Sequence, residues 1–515
     1  MSPKVGSADD SAAAWQGRAL ERQARNDLPG ALDAYQEALS RDPNSLEIAA
    51  GLADLAFRIG QFELSAKFYA HVLRQRPGDI ATLRRYAEAL REQDRFDEAI
   101  EVLKAALAEQ PGEAALWETL GTILVAKDDR PTGLVFLDEA LRLDPDNLNA
   151  RFHRGAARVD EGDIDAGLDD LTHCARHFHD PDNRAAAELT CAHVALGAGN
   201  LDAGWAWYEG RHKRGTLSEV HYDTGLPKDF KRLDPRDSLH GKRIFISAEQ
   251  GLGDEVLFAS LLPDLRAEAS HIGIAVEPRL LPLFRRSFPG STVIAHKTQT
   301  IDGRIRRTFP DLDVSGFDGW ALLGDFLAAR RGRLADFPAR DRYLSPAPER
   351  VAHWRGWLET LGPGPKVGAL WKSLKSTNYR DRYFAPFSQW QDVLTAPGVQ
   401  FVNLQYGDSS AEMASCAAAS ITIVTPPGID LKQDLDDIAA LTSVLDIVIG
   451  PANATSQIAA ATGTPIWLLA PPHAWLMLGR DDYPWHPNAR CFVAPRFGDW
   501  APALAEMKNQ LIKLA

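Results

Sequence analysis

Cysteine is scarce in this 515-residue chain: Cys174, Cys191, Cys416 and Cys491 stand far apart, with no C-x-x-C pair among them. That spacing argues against a disulfide framework and a structural zinc site, and it fits a reducing compartment. The opening MSPKVGSADDSAAAW has no apolar h-region, so no secretory leader is expected. No window approaches the roughly 18 apolar residues that a transmembrane helix needs. Basic blocks are missing too. Lys and Arg number 57 against 70 Asp and Glu, a formal net charge of −13. Nucleic acid as the main partner needs concentrated Lys and Arg and is not expected. These absences together point to the cytoplasm. There is no P-loop G-x-x-x-x-G-K-[ST], no H-E-x-x-H metal pair and no G-x-S-x-G nucleophile elbow. What remains is an ordinary globular composition, 45% apolar and 25% charged, long enough for two to four domains.

A period fills the first 214 residues. Pro43, Pro77, Pro111 and Pro145 are spaced by 34 residues each time. Twelve residues before each proline stand Ala31, Ser65, Ala99 and Gly133, all small. Eight before stand Tyr35, Tyr69, Leu103 and Leu137, all bulky. Twenty-four before, small residues return as Ala19, Ala53, Ala87 and Gly121. Small residues let paired helices approach and large ones fill between them, so the array looks like tetratricopeptide repeats. A looser fifth copy runs from Leu148 to Pro181. Ala185–Arg214 reads as a closing helix pair whose Trp205, Trp207 and Tyr208 either cap the array or grip the next domain. Residues 215–240 are polar, carry Pro227 and Pro235, and read as a linker laid across the next domain.

From Lys242 onward short apolar runs alternate with helix-length segments, which implies parallel sheets covered by helices. The first unit, 241–345, has expected strands at Ile244–Ser247, Ile272–Val276 and Thr292–Ala295, and an expected helix at Phe317–Arg331. The second, 346–515, has expected strands at 367–371, 399–404, 421–424, 447–450 and 465–469. The fold class is therefore an α-solenoid followed by two Rossmann-like α/β lobes. Ligands of such sheets sit at the carboxyl ends of strands. Five loops lie there: 247–255, 372–382, 405–408, 451–456 and 470–480.

The loop SAEQGLGDE, Ser247–Glu255, is strand, glycine turn and helix start. Gly251 and Gly253 allow close backbone approach. Asp254 at the helix start is either a proton acceptor or a cap. The fingerprint for a dinucleotide is incomplete, since Val256 stands where a third glycine belongs, so no nicotinamide or flavin cofactor is expected. Lys372, Lys375, Arg380 and Arg382, mixed with Ser373, form a local cationic loop that either holds a phosphate or is simply solvated. In GPANATS the residues Asn453, Ala454, Thr455 and Ser456 open a helix, a place for a phosphate or an ordinary cap. Gln405 and Tyr406 end another strand, and His473 and Arg480 lie in the last loop.

The segments EQGLGDEVLFASLLPDL, VGALWKS, FVNLQYGD and DIVIGPANATSQIAAATGTPIWLLAP, with PWHP and FGDW beyond, carry a resemblance. Over about Gly241–Leu514 they resemble bacterial tetratricopeptide proteins ending in a two-lobed GT-B glycosyltransferase domain, and more distantly the lipopolysaccharide heptosyltransferases. Within that group the match is to the flagellin glycosyltransferase type. The resemblance implies an inverting, metal-independent protein O-glycosyltransferase with no cofactor. It implies a nonulosonic (sialic-like) sugar moved from a CMP-linked donor to Ser or Thr of flagellin held by the repeats. It implies Asp254 as general base, with Glu249, Glu255 and His473 as alternates. It implies donor phosphate contacts from Lys372 and the loop of Asn453–Ser456; the strand-end loops add Gly251, Gly253, Ser373, Lys375, Arg380, Gln405 and Tyr406 as candidates for the same donor site. The match departs at one point. Where heptosyltransferases carry aspartate, threonine and a later histidine, this chain has Ala452, Asn453 and Gln457. That leads away from heptose donors and lipid acceptors. Two alternatives stand beside this reading: a repeat scaffold with a degenerate GT-B domain, and a transferase acting on lipid or polysaccharide.

Overall fold

Residues 10–213, 226–247, 249, 251–301, 304–373 and 382–515 are described by the structure, a computed structural model. They fall into two compact units, one ending at His177 and including 300–304, the other comprising 178–299 and 305–515.

The first unit is built of paired helices: α1 (Ala12–Ala24), α2 (Leu28–Arg41), α3 (Leu46–Arg58), α4 (Phe62–Gln75), α5 (Ile80–Arg91), α6 (Phe96–Glu109), α7 (Ala114–Ala126), α8 (Arg130–Leu143), α9 (Leu148–Asp160) and α10 (Ile164–His177). Short polar residues start several of them. The side chains of Asp27, Ser45, Asp79, Asp129 and Asn147 each accept from an N–H three residues on, satisfying an end group that the helix leaves open. The small positions of the period are helix crossings. A methyl group on Gly133 would stand 2.9 Å from the Gly121 carbonyl, and one on Gly167 would stand 2.8 Å from that of Gly155. The bulky positions, Tyr35, Tyr69, Leu103 and Leu137, are buried between them.

The second unit opens with α11 (Pro181–Gly197) and α12 (Leu201–Tyr208). Trp205 donates from Nε1 to the Arg331 carbonyl at 2.9 Å, so this pair grips the α/β region. That region holds two parallel sheets. The first lobe has β1 (Arg243–Ser247), β2 (His271–Val276), β3 (Thr292–Ala295), a separate two-stranded ladder of β4 (Lys297–Ile301) and β5 (Arg304–Thr308), and β6 (Gly319–Leu322). Its sheet runs β3-β2-β1-β6. Residues 319–322, expected as helix, are therefore strand: Ile244 pairs with Gly319 and Ser247 with Leu322. The linker segment lies along this edge, with Leu233 donating to the Trp320 carbonyl at 2.8 Å and Trp320 to that of Lys231 at 2.9 Å.

The second lobe has β7 (Lys366–Ala369), β8 (Gln400–Asn403), β9 (Ile423–Val424), β10 (Ile447–Gly450), β11 (Ile466–Ala470) and β12 (Ala489–Val493), in the order β12-β11-β10-β7-β8-β9. Counted within the lobe this is the order 3-2-1-4-5-6 of Rossmann sheets. The fold is thus helical tetratricopeptide repeats followed by a Rossmann-like α/β region. One apolar cluster is continuous through both lobes, from Ile246, Leu257 and Phe326 to Leu404, Leu441 and Ile458. Among the described residues no helix is long and apolar enough to cross a membrane.

Candidate functional site

Each sheet reverses its strand order at one place, between β1 and β6 in the first lobe and between β7 and β10 in the second. Loops leaving such a reversal diverge and leave a crevice. The glycine turn follows β1, and the helix Ala454–Ala461 follows β10. The helix Leu252–Phe258 packs on Ala454–Ala461, and a methyl group placed on Gly253 would be 3.5 Å from the Ala454 nitrogen. Two of the loops singled out in sequence therefore meet across the lobes.

Asp254 is the third residue of its helix and half-buried. Its Oδ2 lies 3.1 Å from where a Cβ of Gly251 would stand, so the carboxylate folds over that glycine. Nearby, Gln457 donates from Nε2 to the Tyr483 hydroxyl at 2.8 Å. Burial pushes the Tyr483 phenol well above its ordinary value, and the Asp254 carboxylate adds to the rise. Tyr483 and Gln457 carried no sequence signal of their own. The one available hint was that Gln457 replaces the histidine of the heptosyltransferase pattern.

The other two carboxylates of the turn point inward. Glu255 is 3% exposed; its Oε2 accepts from the Glu277 N–H at 2.9 Å and its Oε1 lies 3.4 Å from His296 Nε2 and 3.8 Å from Arg307. Glu249 is 2% exposed and accepts from the Gly324 N–H. Burial raises its carboxyl above the usual range, opposed by Arg211 and then supported by Asp325. Neither opens on the crevice. His473 stands apart, exposed and in the left-handed region at φ 54°. Its backbone touches α11, a methyl on Gly197 falling against the His473 carbonyl. Arg480, in the same loop, pairs with Asp482.

In the second lobe, Asn453 and Ser456 close the helix end on themselves. Asn453 Oδ1 accepts from the Ser456 N–H at 3.2 Å, and Ser456 Oγ accepts from the Asn453 N–H at 2.9 Å. The N–H groups of Ala454 and Thr455 remain at the open first turn. Asn453 Nδ2 is buried and has no hydrogen-bond partner among the described residues. Gly450, at the end of β10, has φ 153° and a Cβ there would fall 2.4 Å from the Leu370 carbonyl, so only glycine fits.

The cationic loop is only partly described: Lys375 and Arg380 lie outside the described residues. Lys372 forms an ion pair with Glu412, which a helix from the β8 side brings in. Ser373 is half-buried beside it. Arg382 lies over the rings of Tyr383 and Phe497 at 5.3 and 4.7 Å. Gln405 is 2% exposed, and its amide clasps backbone: Oε1 accepts from Trp371 and Lys372 N–H at 3.0 Å each, and Nε2 donates to the Lys372 and Tyr406 carbonyls. Its side chain shapes the loop, and the residue also borders the cleft that Tyr406 lines. Tyr406 does face space. With Asn403, Thr425, Asp430 and Lys432 it lines a cleft of about 560 Å³ at the ends of β8 and β9. Arg279 of the first lobe donates to the carbonyl of Lys432, one of the lining residues, at 2.7 Å. Asn403 and Thr425 were legible only as polar residues ending apolar strands.

Comparison with known proteins adds three findings. The tetratricopeptide repeat model matches residues 23–84 and 60–123. Among solved structures, a thermophilic tetratricopeptide protein of Thermus thermophilus is 20% identical, with TM-score 0.30 over 34% of this chain and 97% of that one. Pseudomonas aeruginosa PilF is 19% identical, with TM-score 0.31 over 39% and 89%. Protein FlbA of Caulobacter vibrioides is 45% identical over 504 residues, 97% of this chain and 84% of FlbA. At that identity over nearly its whole length, the chain belongs to the FlbA family.

Proposed function

We propose that the protein is a GT-B-type protein O-glycosyltransferase. The observation that carries this reading is the meeting of the two strand-order reversals, with a half-buried carboxylate on one side and a helix N-terminus on the other. A base and an anion site brought to the same lobe junction are what inverting transfer from a nucleotide sugar requires. The acceptor is a Ser or Thr hydroxyl. Asp254 takes its proton as the oxygen forms its bond to the anomeric carbon, assistance worth about 10²–10⁴-fold. The bond from that carbon to the phosphate oxygen breaks, and the charge left on the nucleotide phosphate is stabilised by the first-turn N–H groups of Ala454 and Thr455. The repeats select the protein acceptor, and the resemblance in sequence supports flagellin as acceptor and a CMP-linked nonulosonic donor.

One observation favours the scaffold alternative. Lys372 is already neutralised by Glu412, and Asn453 and Ser456 satisfy part of the helix end internally. A single comparison separates the two. Intact masses of candidate acceptors, flagellin first, are measured from cells with the wild-type protein, with Asp254→Asn and with a deletion. Transfer predicts a sugar-sized mass in the first only. An Asp254→Asn strain with fully modified acceptor removes Asp254 from the role, and equal masses in all three strains leave the scaffold.

A further inference from the structure

Arg211 belongs to neither sheet. It lies in the short turn Glu209–Lys213 after α12. Yet it is 4% exposed and forms an ion pair with Asp325, whose side chain is buried as well. Asp325 sits just beyond β6, where its Oδ2 accepts from the Leu322 N–H at 3.1 Å and from Arg232 at 3.0 Å. Its neighbour Gly324 donates its N–H to Glu249, just beyond β1. Around the position a Cβ of Gly324 would take, Glu249 Oε1 is 2.8 Å away and an Arg211 terminal nitrogen 3.2 Å away. The guanidinium therefore pairs with the buried Asp325 and lies close enough to the buried Glu249 to act on its charge, and each carboxylate is fixed to a different strand end at the first lobe's reversal of strand order. A planar guanidinium can bridge two carboxylates with separate N–H groups, which an ammonium does less well. The chain from Glu249 runs directly through Gly251 to Asp254.

We infer that Arg211 is the positioning residue for the turn that carries Asp254. By pairing with Asp325 and placing its charge beside Glu249 it sets where the backbone leaves β1 and hence where the helix of Asp254 begins. The catalytic consequence rests on the glycosyltransferase reading above; the positioning itself rests on packing alone. The helix pair is anchored separately by Trp205 to Arg331, so removing Arg211 leaves α11 and α12 docked.

The test uses the full chain as wild type, Arg211→Ala and Arg211→Lys. Amide hydrogen exchange is followed over 247–255, with β10 and β11 as internal reference, alongside transfer kinetics with a CMP-sugar donor. Arg211→Ala is expected to speed exchange in the turn by about tenfold or more while the reference strands stay protected. In transfer it lowers kcat by about tenfold with donor KM within about twofold, since only the base is displaced. Arg211→Lys restores part of both. Should Arg211→Ala not fold, Arg211→Gln carries the same comparison. Unchanged exchange in the turn, or loosening of the reference strands in equal measure, overturns the inference. Wild type that transfers nothing while Arg211→Ala still loosens the turn refutes the glycosyltransferase reading and leaves the positioning role intact.

Discussion

Gly253→Ala separates folding from ligand binding at the point where the lobes meet. Gly253 lies in the first turn of its helix, and its backbone is outside the left-handed region that excludes alanine. The added methyl would find the Ala454 nitrogen at 3.5 Å, the Asn453 carbonyl carbon at 3.8 Å and the Ala454 Cα at 3.9 Å, all ordinary contacts. Folding should therefore tolerate it. Glycine costs a helix about 0.5–1 kcal/mol relative to alanine, so the variant should be as stable as wild type or slightly more so. That corresponds to a rise in Tm of about 1–3 °C. Ligand binding should respond in the opposite direction. The methyl sits against the N–H that opens the helix end, where the donor phosphate is proposed to lie. Forcing a phosphate past one added carbon costs about 1–3 kcal/mol, a loss of roughly 5- to 150-fold in affinity. Calorimetric titration with CMP-sugars and UDP-sugars, paired with a thermal scan, reads both quantities. A Gly253→Ala protein with raised Tm and undiminished donor affinity would refute a phosphate at this helix end.

Other perturbations draw on the same geometry. Gly450→Ala pushes a Cβ into the Leu370 carbonyl and should part β7 from β10, lowering stability by more than about 3 kcal/mol, read as loss of soluble protein or of the thermal transition. Gln405→Ala leaves the Trp371 and Lys372 N–H groups without an acceptor and should cost about 2–4 kcal/mol in a urea titration. At Asp437 burial alone would raise the carboxyl, but hydrogen bonds from Arg350 and Trp354 outweigh it and hold it below the usual range. A depressed carboxyl stabilises the fold above its unfolded value and loses that effect as pH falls through the folded one. Asp437→Asn should therefore cost about 1–3 kcal/mol at neutral pH, and its deficit against wild type should shrink in acid. Glu249 has the opposite sign, raised by burial, so its ionisation weakens the fold as pH rises above the ordinary carboxylate range. Glu249→Gln should gain on wild type in Tm as pH rises above the ordinary carboxylate range, and a constant difference would contradict the upward shift.

Most of the architecture was legible because its signals are local or periodic. The small and bulky positions around Ala31, Tyr35 and their 34-residue repeats mark helix crossings directly, since only a small side chain fits there or a large one is needed. Strands β1, β2, β3, β7, β8 and β10 are short apolar runs between turns, which is how buried parallel strands read. Failures arose where pairing overrode pattern. Phe317–Arg331 has apolar residues at helical spacing, yet Gly319–Leu322 is captured by the edge of β1 and becomes strand. The ladder of β4 and β5 is too polar, in KTQTI and RIRRT, to show as buried strands. The pairing of Lys372 with Glu412 joins residues forty apart through the β7–β8 contact, and no local signal could have foretold that the cation was already matched.

The glycine turn shows why a sequence alone could not choose among its carboxylates. Asp254 and Glu255 are adjacent on a helix, so their side chains leave about 100° apart. That single step sends Glu255 into the lobe toward the Glu277 N–H and His296, and leaves Asp254 at the edge facing the other lobe. Glu249 precedes the turn and is drawn under it by the Gly324 N–H. The three are equivalent as residue types, and the distinction lies in which backbone groups and cations are within reach. A buried carboxylate that already accepts a backbone N–H gains little by taking a substrate proton and loses its partner's satisfaction in doing so. Asp254, half-buried at the start of its helix, is the most exposed of the three. The same logic orders the experiments. Glu249 and Glu255 variants should act first on stability, and Asp254 variants first on transfer, so a mutant series read by both Tm and acceptor mass assigns the three roles independently.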